Sequence, residues 1–345
     1  MNRAVVVRRG AVSFRVDAAA VVLGSAAWVL ALAVGALSLT LGEYPMPLPQ
    51  VLATLAGDGT LVAYDVVVRN RLPRVLVALL VGAALAISGA IFQRLARNPL
   101  VSPDVIGINA GASAGAVVAI TVAGAGSGTV VGGALAGAVF AATLVYGLAS
   151  RHRFSPYRLV LVGIGVTALL SSAASFLLTR SERNVAMQAA IWLVGSVAGR
   201  DHSHVAMVGT ALTVCVPVVL VAARQLRLLE LGDDVARGLA ARVEQARAVL
   251  IVAAVTLAAL ATASAGPVGF VALVAPQIVR RLLPMRSVAL TATSGVGALV
   301  VVAADLLARR LFSPLEVPVG VVTALVGAPV LLYLLVRANR LGAAG

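Results

Sequence analysis

Apolar runs of about bilayer length, separated by short basic links, set the pattern of this chain. Ten runs can be segmented, at 18–41, 75–92, 105–123, 130–149, 159–178, 205–222, 248–264, 268–279, 289–307 and 319–336. Helix rises about 1.5 Å per residue, so about 20 residues cross a hydrocarbon layer. The runs are continuous rather than alternating, which predicts helices and not the strands of a transmembrane barrel. The stretch 71–115 shows the repeating unit: an apolar pass behind Arg71 and Arg74, a basic proline-broken corner at 94–103, and a return pass. The eighth run is too short to cross alone. Gly266 and Pro267 precede it and Pro276 interrupts it, so it is predicted to bend or stop early.

Two further segments read as structured. Residues 186–197 form a short amphipathic stretch with Trp192 at interface depth, on the outer side and able to dip back into the membrane. Residues 228–241 are the one long polar insertion on the inner side; Gly232 breaks it, and Asp233 and Asp234 can cap the helix that follows. Glycines recur four apart, as at Gly111 and Gly115 or Gly133 and Gly137, which lets helix backbones approach closely. Spans two to five and seven to ten each hold a small-residue span followed by a Pro-broken corner, hinting at an internal duplication.

Composition agrees with that pattern. The chain is 61% hydrophobic and 12% charged with a mean hydropathy of +1.03, more apolar surface than a water-soluble core could hide. The expectation is a single all-α polytopic membrane domain over residues 1–345, with ten transmembrane helices. The net charge of +14 comes from arginine alone, and the chain has no lysine. Those arginines cluster in links between spans, without a basic stripe or stacking aromatics, so no nucleic-acid partner is expected. With the N-terminus inside, nineteen arginines fall on the inner side and eight on the outer side. That excess places both ends in the cytoplasm. The run at 18–41 exceeds a signal-peptide core and reads as an uncleaved first span.

Candidate chemistry is sparse. The spans carry no mid-membrane Asp, Glu, Lys or Arg; Asp305 lies near an outer end, beside Arg309. An ion-coupled secondary carrier, the rival class, usually places an ionisable group at depth. Driving force supplied by another chain fits better, and no Walker motif occurs here, so ATP hydrolysis is expected on a separate chain. Gly111–Gly115 matches G-x-S-x-G around Ser113 but lacks the preceding strand, and helix packing explains it. Gly124–Gly128 reads as a turn rather than a phosphate loop. Asp201, His202, Ser203 and His204 offer weak metal-ligand spacing and read as a solvated loop. Cys215 sits in an apolar run as a small buried hydrophobe. No metal, cofactor or catalytic residue is expected.

Specific motifs sharpen this reading. RLPR (71–74), LLVGAALAISGAIFQ (79–93), RNPLVSPDVIG (97–107), ELGDDVARGL (230–239), GPVGFVALVAP (266–276), ADLLAR (304–309) and EVPVGVVTALVGAPV (316–330) occur in order. Together they resemble the FecCD/BtuC-like family of ABC importer permeases, over most of the chain. Gln277 stands where that family usually has histidine, LLPMRS (282–287) replaces a usual Gly-x-Asp-His-Arg, and Ala240 replaces a common glycine.

The resemblance implies a BtuC-like type II importer permease of ten spans with an inverted repeat, in the bacterial cytoplasmic membrane. It implies a second permease subunit, two ABC ATPase subunits and an extracytoplasmic substrate-binding protein as partners. It further implies that Arg71, Arg74 and Arg309 receive acidic residues of the binding protein, with Arg310 a further candidate. Glu230, Leu231, Gly232, Asp233, Asp234, Ala236, Arg237, Gly238 and Leu239, within a coupling segment of about 225–247, match the family's contact with the ATPase. The substrate class implied is a ferric siderophore, with vitamin B12 or haem as alternatives; the run 89–107 looks most like the ferric-enterobactin branch.

Overall fold

The structure is a computed structural model. It describes every residue except 1–3, 10–11, 43, 123–125, 151–155, 231–232, 239–241, 284–288, 312–315 and 343–345. An antiparallel hairpin of β1 (Ala4–Arg9) and β2 (Val12–Asp17), which the sequence did not predict, leads into α1 (Ala18–Thr40). Asp17 caps α1 by accepting the Ala19 N–H.

The chain then forms α2 (Leu48–Ala56) and α3 (Leu61–Tyr64). A π-helical turn, Asp65–Arg71, then runs without a break into α4 (Leu72–Leu95). Pro73 sits in the first turn of α4, just past the π-helical turn. α5 (Ile108–Val122) and α6 (Ser127–Ala149) follow, then α7 (Pro156–Arg180) and the short outer α8 (Arg183–Val194). α9 (His202–Glu230) outruns its predicted span by eight residues, so the start of the expected polar insertion is the end of a transmembrane helix. α10 (Asp233–Gly238) is one short turn and a half. α11 (Val243–Ala265), α12 (Val271–Leu282), α13 (Leu290–Leu311) and α14 (Val319–Gly342) complete the chain.

Among the described residues, seven helices are long and apolar enough to cross a membrane, and α5 and the stretch Val319–Tyr333 of α14 are further apolar ones. With α12, which stops after 12 residues, they make the ten spans. α4 lies at the centre. Nearly all of its residues are buried, and it packs on α9, α11, α12 and α13. The α4–α13 crossing is a glycine contact: a methyl on Gly82 would collide with the Gly297 carbonyl, and one on Gly297 with that of Gly82.

The duplication is visible in the packing. α4 and α11 touch each other. α4 packs on α12 and α13, the second and third helices of the other half, while α11 packs on α5 and α6. With α8 not crossing, α4 and α11 are five crossings apart and therefore run in opposite senses. The second helix of each half is short and follows a link with left-handed backbone, at Gly107 (φ 93°) before α5 and at Gly266 (φ 72°) and Phe270 (φ 67°) before α12.

Candidate functional site

Charged groups gather at the two ends of α4. At the N-terminal end, expected from the arginine distribution to face outward, the turn before α4 and the first turn of α4 place Arg71 and Arg74 against the end of α13. Asp305 and Arg309 of α13 are one turn apart, the i, i+4 spacing that puts both on one helix face.

Asp305 is the hub. Arg74 donates Nε and Nη2 to its carboxylate at 3.0–3.2 Å, a forked pairing. Arg309 reaches the same carboxylate at 3.4 Å and also donates to the Ser38 hydroxyl of α1. The Asp305 side chain is 1% exposed, with Arg74 at 13% and Arg309 at 10%. Arg74 spends its remaining nitrogen, Nη1, on Glu316, at 3.0 Å. Glu316 is 51% exposed and lies three residues before α14.

Arg71 is held differently. Its Nη1 donates to the Leu39 carbonyl at 2.8 Å and its Nη2 to the Tyr44 carbonyl at 2.6 Å, tying the link after α1 to the start of α4. Gly42 makes this possible, because a methyl there would occupy the guanidinium's place. Arg310, the fourth arginine, is exposed and has no recorded partner among the described residues. The four arginines and Glu316 line a recess of about 400 Å³, closed on one side by Ala198 and Gly199. Four guanidiniums against two carboxylates leave an excess of positive charge that suits an acidic surface.

At the C-terminal end of α4, Arg94 donates Nη1 to Glu230 at 2.6 Å, joining the last turn of α4 to the last residue of α9. Arg97, in left-handed backbone (φ 50°), donates to the Leu229 carbonyl at 2.9 Å. Gln93 donates to the Ala272 and Leu273 carbonyls and accepts from Gln277, which also donates to the Pro99 carbonyl. Gln277 thus locks α12 to the corner after α4. With Arg280 and Thr293, these groups line a second recess of about 300 Å³. Of the implied coupling residues, Glu230 ends α9 and Asp233, Asp234, Ala236, Arg237 and Gly238 form α10. Ala236 is buried, and Arg237 reaches Glu244 of α11 at 3.3 Å. Leu231, Gly232 and Leu239 lie outside the described residues.

Sequence reasoning did not single out a third cluster between the two halves. Asp104, in the link before α5, is half-buried; it accepts from Asn109 and from the Phe270 backbone N–H at the head of α12. Asn109 accepts in turn from Thr262 of α11 at 2.8 Å. Burial pushes the Asp104 carboxyl up to about 6. The loop acid Asp201 does the opposite. Hydrogen bonds from Ser203 and His204 hold it below the usual carboxylate range while it caps α9. The Asp201–His204 stretch is therefore a helix cap. His204 is mostly buried, and His202 is bonded to the Val68 carbonyl at 3.0 Å.

Comparison with known proteins places this geometry. Residues 30–337 match the model of the FecCD transport family. The chain is 42% identical over 291 residues to the ferric enterobactin transport system permease protein FepG of Escherichia coli (strain K12), covering 84% of this chain and 88% of that one. It is 37% identical to the iron(3+)-hydroxamate import system permease protein FhuG of Bacillus subtilis (strain 168), covering 84% and 89%. It is 38% identical to the cobalamin import system permease protein BtuC of Halobacterium salinarum, covering 77% and 72%. Among solved structures, a chain described as a metal-chelate type ABC transporter in an inward-facing conformation superposes with a TM-score of 0.81 at 29% identity, over 91% of this chain and 99% of that one.

Proposed function

This chain belongs to the FecCD transport family, and on that premise we propose that it is the permease subunit of an ABC importer that brings a ferric siderophore across the bacterial cytoplasmic membrane. The observation that carries the reading is the 42% identity over 84% of the chain to a ferric enterobactin permease. Hydroxamate and iron-citrate permeases among the relatives support an iron chelate as cargo. The cobalamin relative keeps vitamin B12 as the second reading.

In this reading the complex holds two permeases, two ATPases that hydrolyse ATP, and an external binding protein. Both ends of the chain face the cytoplasm. The binding protein docks on the face carrying Arg71, Arg74 and Arg309, where the excess positive charge favours acidic lobes. Each exposed pair contributes only about 0.2–1 kcal/mol, so the gain is mainly in encounter rate and orientation. Arg310 offers the exposed guanidinium. Arg74 can take an incoming carboxylate in place of Glu316. Arg71 and Arg309 hold the platform in shape. On the inner face, the segment from Glu230 to Leu239 meets the ATPase and carries its closure to α9 and, through Arg94, to α4.

The test is uptake of radiolabelled iron, presented as ferric enterobactin, a ferric hydroxamate or ferric citrate, by cells whose own permeases of this family are deleted and which express this chain with its partner subunits. Uptake of one iron chelate is expected. Uptake of cobalamin with none of the iron chelates would overturn the siderophore reading. Arg310→Glu is expected to lower uptake severalfold without changing thermal stability; wild-type uptake by Arg310→Glu combined with Arg74→Gln would remove the docking role.

A further inference from the structure

We propose that the groove between α12, α13 and α14 is a phospholipid site, which holds one acyl chain with the lipid phosphate at Arg281. The groove has a volume of about 270 Å³. Its walls are Val274 and Ile278 of α12, Leu299 and Ala303 of α13, and Val322 and Val326 of α14, with Thr323 the one polar side chain. Water cannot fill it. At roughly 30 Å³ each, about nine waters would share a single hydroxyl, whereas each buried water needs two to four polar partners. An empty groove would forfeit the dispersion contacts of its lining. In a membrane, hydrocarbon is at hand to fill it. Leu307 and Val326, 45% and 55% exposed, stand at the rim, so the groove opens sideways.

The polar end of the site follows from helix periodicity. Val271, Val274 and Ile278 share one face of α12, and the next residue on that face is Arg281. Val322, Val326 and Val330 share one face of α14, and the next is Tyr333. Arg281 and Tyr333 meet there, with the guanidinium 5.5 Å from the ring centroid. A cation thus stands at one end of an apolar slot. That end of α12 also carries Arg280 and lies on the side that the arginine distribution assigns to the cytoplasm. An apolar slot with a cation at headgroup depth is the chemistry of an inner-leaflet phospholipid. Phe270, in left-handed backbone at the head of α12, also lines the groove. Its ring lies against Gly327, where a methyl group would collide with it.

The experiment is native mass spectrometry of the full chain purified in mild detergent, with phosphatidylglycerol, phosphatidylethanolamine and inorganic phosphate as separate additions. One tightly held phospholipid per chain is expected. Ala303→Phe, which fills the slot, should release it while leaving the thermal midpoint equal or higher. Val326→Trp, at the exposed rim, tests the same point without touching the interior. Arg281→Gln should weaken phosphatidylglycerol binding about fivefold. The proposal fails if the wild-type chain holds no lipid, or if Ala303→Phe and Val326→Trp keep the same lipid count. It also fails if inorganic phosphate binds equally well without lipid, or if a second copy of the chain covers the groove.

Discussion

The two ends of α4 carry similar residues and are built differently. Outside, Asp305 is closed in by two arginines from two helices, and Arg71 fastens α4 to the link after α1. Inside, Arg94 meets Glu230 in a pair whose side chains are 16% and 30% exposed, at the tip of a helix that leads into a short, partly exposed turn. The difference teaches where motion is affordable. Separating the outer groups strands a buried carboxylate between cations. Separating Arg94 from Glu230 frees a carboxylate that is already 30% exposed. Such an asymmetry, a fixed cluster at one end and a looser pair at the other, suits the docking and coupling roles proposed for the two ends.

Breaking the hub should have the largest effect. Asp305→Asn leaves Arg74 and Arg309 buried against each other, and is expected to cost about 3–5 kcal/mol of stability, read by thermal denaturation of the purified chain. A loss equal to that of an inner-face mutation would erase the asymmetry.

Next is pH. The Asp104 carboxyl, lodged between the two halves, titrates at about 6, above the usual 3.8. The folded state then binds more protons than the unfolded one between those values, so stability present at low pH is lost as pH rises through that window. Melting temperature should fall from about pH 4 to about pH 6 in the wild type, with the slope flattened in Asp104→Asn. An unchanged slope in the variant would assign the effect to another group.

The smallest effects sharpen the contrast. Glu230→Gln and Glu316→Gln each remove one partly exposed partner and should shift stability by no more than about 1 kcal/mol. They should part in function. Glu230→Gln is expected to leave ATP hydrolysis running while lowering uptake, and Glu316→Gln, by freeing Arg74, to raise affinity for the binding protein. Parallel assays of hydrolysis, uptake and binding check both.

Much of this was legible in the sequence. α1 and α14 begin where the hydropathy placed them, because an abrupt change from polar link to apolar run marks a helix end. The shortness of α12 followed from Gly266 and Pro267, which delay its start, whereas Pro276 lies inside the helix without ending it. The proximity of Asp305 and Arg309 followed from helical spacing. The end of α9 did not: Leu226 and Leu229 are buried, so tertiary packing carries the helix past the apolar run into a segment whose arginines read as a loop. Nor did the carbonyl acceptors of Arg71 or the Phe270 N–H that donates to Asp104, which are backbone groups of distant residues with no side-chain signature. An arginine bound to carbonyls reads, in sequence, the same as an arginine waiting for a partner.

The account depends on the driving force coming from another protein. Reconstitute the chain with its co-purified ATPase and second permease in vesicles, add the loaded binding protein outside, and follow iron uptake with ATP trapped inside, against ion gradients alone. Accumulation only with ATP is predicted; accumulation by this chain alone, driven by a proton or sodium gradient, would contradict the account.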